Sequence, residues 1–145
     1  MKVDFWQLSR DPAERVVALI AQRVRDSGDN LLVVSKDPDQ LEKIGKTLWE
    51  TAPEAFLANG KASDPHSERQ PIMLSSDCEA ANEASHIIFA DGTWREDAAK
   101  FERSFLLFSE ATLEDARACW RSLDAAENLE RSFFRQDGGK WTKVA

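Results

Sequence analysis

Two arginines and a tryptophan late in the chain have the spacing to hold one ligand together. Thr112-Leu-Glu-Asp115 has the form of a capping-box start, so a helix is expected from there to about Ala126. At about 100° per residue, Ala116, Cys119 and Leu123 fall on one side, the core side. Arg117 and Arg121 lie one turn apart on the neighbouring face, with Trp120 between the two groups and Leu113 below it. An indole beside two guanidinium groups offers an apolar shelf and two forked donors. That suits a ligand carrying both an apolar group and a carboxylate. The plainer reading of the same spacing makes Trp120 core, and the arginines a solvated face with Asp124.

Other reactive residue types stand alone. Asp91, after the apolar run HIIFA, could be a strand-end carboxylate that receives a phosphoryl group or binds Mg²⁺, but Asp91-Gly92 also has the form of an ordinary turn. Cys119 falls mid-helix on the apolar side, where a buried, inert thiol is expected. Cys78 lies in a polar segment with no His or Asp pattern to mark it as a nucleophile. His66 sits in a polar loop and His86 at the start of a strand, and neither pairs with the cysteines at metal-ligand spacing. No metal site is expected. The first strand-to-helix junction, LSRDPAER, lacks the glycines that let backbone amides cradle a phosphate, and neither G-x-x-x-x-G-K-[ST] nor G-x-G-x-x-G occurs anywhere. No cofactor is expected either. A small α/β enzyme handling a phosphoryl group or small molecule through Asp91 or Cys78 remains the rival from a different class.

The elements that must position these residues follow from the rest of the chain. With 145 residues, 42% of them hydrophobic and 31% charged, it has the size and mixture of one globular domain, 1–145. There is no apolar run of membrane-spanning length, and MKVDFWQLSRDP does not read as a signal peptide, so a cytoplasmic location is expected. The formal charge is −7, which argues against a direct grip on nucleic acid. Residues 1–30 carry five basic and five acidic groups and residues 112–145 six of each, while 31–111 hold eight basic against fifteen acidic. Basic groups able to meet an acidic partner are therefore relatively concentrated at the two ends.

Val3 to Leu8 reads as a strand, and Asp11-Pro12-Ala13-Glu14 opens a helix, with Asp11 as cap, Pro12 at its first position and Glu14 reaching back; Gly28 ends it. Leu31 to Val34 is a strand buried on both faces, and Asp37-Pro38 opens a second helix carrying Leu41, Ile44, Leu48 and Trp49. Residues 57–70 read as a loop, Pro71 to Ser75 and His86 to Ala90 as strands, Trp94 to Glu102 as a helix, and Ser104 to Ser109 as a strand. Ser132 to Arg135 and Trp141 to Val144 flank Asp137-Gly138-Gly139 as a terminal hairpin. Alternating strands and helices predict an α/β layer fold around a largely parallel sheet.

The segments VDFWQLSRDP, LLVVSKDP, LWETAPEAF, RQPIML, ARACWR and QDGGKW, in order from near Met1 to Trp141, resemble the chi subunit family of bacterial DNA polymerase III. The resemblance implies a single three-layer domain with a mainly parallel, mixed central sheet, Rossmann-like without a nucleotide-binding motif. It implies an accessory, non-catalytic subunit of the clamp-loader assembly of a DNA-directed DNA polymerase. Such subunits bind the acidic C-terminal tail of single-stranded DNA-binding protein, and in some bacteria the psi subunit. That tail ends in a phenylalanine with a free carboxylate, preceded by acidic residues. By position, Arg117, Trp120 and Arg121, with Leu113 one turn before them, match the tail-binding motif; Trp49 and Phe56 match the psi-facing surface. Two positions depart from the pattern: Ala58-Asn59 stand where the family often has Pro-His, and Leu113 where some relatives have a basic residue.

Overall fold

A computed structural model of the protein describes residues 1–9, 11–51, 57–125, 129–137 and 140–145. In chain order the elements are β1 (Lys2–Gln7), α1 (Ala13–Asp26), β2 (Leu31–Val34), α2 (Pro38–Thr51), β3 (Asn59–Lys61), β4 (Ile72–Ser75), β5 (His86–Phe89), β6 (Arg103–Phe108), α3 (Leu113–Ser122), β7 (Glu130–Asp137) and β8 (Lys140–Lys143). They build one eight-stranded sheet in the order β3-β4-β2-β5-β6-β1-β7-β8. Every pairing is parallel except the terminal β7–β8 hairpin. The expected α/β architecture is the one observed.

The sheet is covered on both sides because its central strands bury apolar residues on both faces, and β2 is apolar at every position. Leu31 to Val34 are all fully buried, with Leu31 and Val33 facing one way and Leu32 and Val34 the other. On one side α1 and α2 lay down Val16, Val17, Ile20, Ile44 and Leu48 against Ile72, Ile88 and Leu107. On the other, Ala116 and Cys119 of α3 join Ala98 and Phe101 over Phe5, Ile87, Phe89 and Phe108. Burying a side chain as large as Phe5 or Phe108 contributes on the order of 2–3 kcal/mol. A three-layer sandwich results.

Several expectations at element ends are corrected. Pro12, not Asp11, is the N-cap of α1, and no side chain caps that helix. The Asp11 carboxylate is taken instead by Gln136 of β7, whose Nε2 donates to it at 2.8 Å while the Asp11 amide donates to Gln136 Oε1 at 3.2 Å. Long-range docking of the β1–α1 loop onto β7 outcompetes the local cap. The 57–70 loop contains β3, which pairs with β4 despite a sequence (NGK) with no strand propensity. The helix expected over 94–102 is a short 3-10 turn, Glu96–Lys100. α3 ends at Ser122 and continues as a 3-10 turn through Ala125. The capping box lies one turn earlier than expected, with Ser109 as cap and Thr112 reaching back to the Ser109 amide at 3.1 Å. The hairpin strands form as expected, while Gly138 and Gly139 lie outside the described residues.

Chain direction fixes where a site can form. α1 follows β1 on one face of the sheet, and α3 follows β6 on the other, although β1 and β6 are neighbours. Adjacent strands whose connections leave to opposite faces open a crevice at their carboxyl ends, the usual place for ligands in such sheets.

Candidate partner-binding groove

At that crevice lies a cavity of about 580 Å³. Its floor is set by Gln7 and Phe108, register partners that end β1 and β6. One wall is the α3 stripe Leu113, Ala116, Arg117, Trp120 and Arg121, whose spacing of three and four residues puts all five on one side of the helix. Phe133 and Arg135 of β7 form the opposite wall, extended by Val144 and Ala145. The Val144 amide donates to the Phe133 carbonyl at 2.7 Å and the Phe133 amide to the Ala145 carbonyl at 3.1 Å. All four α3 residues singled out from sequence, Leu113, Arg117, Trp120 and Arg121, are thus brought together in one concavity.

Trp120 belongs to both readings weighed from sequence, since it is half-buried against the core and still lines the groove. Its ring meets Phe5 edge-on at 5.1 Å and Phe133 at 6.1 Å. The Arg131 guanidinium lies 4.4 Å from the ring centroid, donates to the Trp120 carbonyl and pairs with Asp124. The indole is fixed by aromatic edges and by a stacked cation. Arg117 is more than half exposed and pairs with the still more exposed Glu114 at 3.2 Å, a contact worth only a few tenths of a kcal/mol. Arg121 is exposed and has no carboxylate partner among the described residues.

Sequence reasoning missed Arg131, Phe133 and Arg135. The signal was available: a strand with R-x-F-x-R at period two places all three on one face. What the sequence does not give is that this face turns toward α3.

The other candidates are held differently. Burial alone would raise the Asp91 carboxyl, but Arg95 bonds both its oxygens, at 3.1 and 2.8 Å, and the Lys36 and Thr93 amides add bonds at 3.0 and 3.1 Å. Together they hold it below the usual carboxylate value. This is a carboxylate with its lone pairs occupied. The turn after it needs Gly92, at φ +77°, where a Cβ would stand 2.8 Å from the Thr112 hydroxyl. Burial pushes the Cys119 thiol up to about 12, with Glu96 adding to it. Burial, then Asp97, also raises Cys78, so neither sulfur is an activated thiolate. Burial lowers His86, whose Nδ1 lies 2.8 Å from the Ser85 hydroxyl, and His66 is an exposed loop residue. Among the described residues no three His, Cys, Asp or Glu side chains are grouped to hold a metal ion, and no helix is long and apolar enough to cross a membrane.

Trp49 stands 53% exposed on α2, above a cavity of about 270 Å³ shared with Gly45, Lys46 and Asn59. Phe56, which sequence placed beside it, lies outside the described residues.

A doubly wound α/β sheet without a phosphate loop, carrying an arginine-flanked apolar groove at its switch point, defines the class. The family model for the DNA polymerase III chi subunit, HolC, matches residues 1–129. A protein of Rickettsia prowazekii (strain Madrid E), described as a probable DNA polymerase III subunit chi, is 24% identical over 127 residues, covering 79% of this chain and 74% of that one. The chain belongs to the DNA polymerase III chi subunit family, and so to the accessory proteins of DNA replication.

Proposed function

We propose that this protein is a non-catalytic, cytoplasmic subunit that links the clamp loader of DNA polymerase III to single-stranded DNA-binding protein by gripping that protein's acidic C-terminal tail. The single observation that carries this reading is the groove itself. It joins apolar and aromatic side chains, Leu113, Trp120, Phe133 and Phe108, to arginines on its rim, matching a ligand that ends in a phenyl ring and a carboxylate. Arg117 and Arg121 take carboxylates, and the terminal ring packs by Trp120 and Leu113. The exposed Arg117–Glu114 pair exchanges an internal carboxylate for one from the ligand at little cost. A net charge of −7 disfavours competition from a naked phosphate backbone, so contact with DNA is made through protein bound to it.

Titration with a peptide of the tail, beside the same peptide lacking its terminal phenylalanine, tests the reading. Micromolar binding that disappears with the phenylalanine is expected. Equal binding of both peptides, or none at low salt, overturns it.

A second contact, to the psi subunit, is proposed at Trp49, because an indole this exposed beside a cavity is a ready anchor for a partner. Trp49→Ala is expected to release psi while leaving tail binding intact. Retention of psi by that variant removes the assignment.

A further inference from the structure

The matched family region ends at residue 129, one position before β7 begins, so it covers the α3 wall of the groove and not the wall opposite. That second wall has a chemistry of its own. In β7, Arg131, Phe133 and Arg135 alternate onto the face toward α3: Arg131 stacks on Trp120, and Phe133 and Arg135 line the groove.

Their levels along the groove follow from the register. Trp120 packs edge-on to Phe5 and Phe133, which are themselves register partners. From that level Arg135 lies two residues toward the carboxyl end of β7, about 7 Å away. Arg117 lies three residues toward the start of α3, about 4.5 Å away. α3 returns the chain from the carboxyl end of β6 to the amino end of β7, so both displacements run the same way. Arg117 and Arg135 therefore stand near one level on opposite walls, with Gln7, the register partner of both Phe108 and Arg135, at the floor between them. Arg131 lies two residues in the other direction, where its guanidinium covers the indole rather than the cavity.

We propose that the Arg131-x-Phe133-x-Arg135 face of β7 is the second half of the recognition motif. Arg135 engages the terminal carboxylate of the bound peptide from the sheet side, opposite Arg117, and so determines specificity for a free C-terminus. Arg131 is a positioning residue: stacked on Trp120 and bonded to its carbonyl, it holds the indole edge against which the terminal ring packs. The proposal rests on the tail-binding reading and adds to it a division of labour between helix and strand.

The test sets three protein variants against two peptides, using the full chain and the tail peptide with either a free or an amidated C-terminus. Arg135→Gln is expected to weaken the free-carboxylate peptide about tenfold and to leave the amidated peptide at its wild-type affinity. Arg131→Gln is expected to weaken both peptides alike and, with no peptide present, to shift the indole N–H resonance of Trp120, assigned by its loss in Trp120→Phe. Arg131→Lys keeps the charge without the planar stack and is expected to behave as Arg131→Gln does, which a purely electrostatic role would not give. Equal loss for both peptides in Arg135→Gln, or no loss, overturns its role as the carboxylate reader. An unmoved Trp120 resonance in both Arg131 variants overturns the positioning role. Should the wild-type protein bind neither peptide, the tail-binding reading itself falls; wild-type binding indifferent to Arg135 and Arg131 sinks this inference alone.

Discussion

Two arginine–carboxylate pairs stand near the carboxyl edge of the same sheet and meet opposite fates. Arg95 and Asp91, each 14% exposed, are joined through both carboxylate oxygens and further tied by two backbone amides. Arg117 and Glu114 touch through one contact at 3.2 Å, with 57% and 81% of their side chains in solvent. The first pair is part of the framework. The second is an exposed contact that contributes little to the framework. Burial and bond number, not residue type, separate a structural arginine from one that can change partner.

The comparison can be broken from either side. Arg95→Ala leaves a mostly buried carboxylate without its cation and is expected to cost about 3 kcal/mol of stability in denaturant unfolding, with tail affinity unchanged. A loss of affinity without a loss of stability would reverse the two roles. Arg117→Ala combined with Arg121→Ala is expected to lower tail affinity about tenfold or more while the melting temperature stays within a degree or two, because both side chains are exposed. Raising salt from about 0.05 to 0.5 M is expected to weaken tail binding several-fold, as exposed pairs are screened, with no matching effect on the Arg95–Asp91 pair. The smallest effect is with acid. Asp91 has its folded value below the ordinary one, so its contribution is present above the ordinary carboxylate range and is lost as pH falls through the folded value. Arg95→Ala is expected to flatten that part of the stability profile; an unchanged profile would mean the amides alone hold the carboxylate.

What the sequence could and could not reveal divides along the same line. Leu31 to Val34 announced a doubly buried strand because four consecutive apolar residues have few other uses, and α1 and α2 were legible because each follows an Asp-Pro start. The α3 half of the groove was legible because a single helix carries it. The β7 half was not, because its role depends on a parallel strand pairing with β1 from the far end of the chain. β3 was illegible for a different reason: Asn59-Gly60-Lys61 has no intrinsic strand preference and is recruited by the open edge of β4. Asp11 went to Gln136 instead of the helix it precedes, a choice that only tertiary geometry makes.

The placing of β1 in the sheet has a consequence for how the molecule comes into being. Lys2 to Gln7 leave the ribosome about a hundred residues ahead of their two neighbours, Arg103 to Phe108 and Glu130 to Arg135. That strand must wait, unpaired on both edges, while roughly five seconds or more of synthesis pass at about 5–20 residues per second. Phe5, Phe108 and Phe133 meet under Trp120 only after that delay. A nascent or truncated chain ending before β7 therefore has no groove and carries a bare strand edge, so the groove arrives together with the closing of the sheet and serves as its own proof of completion.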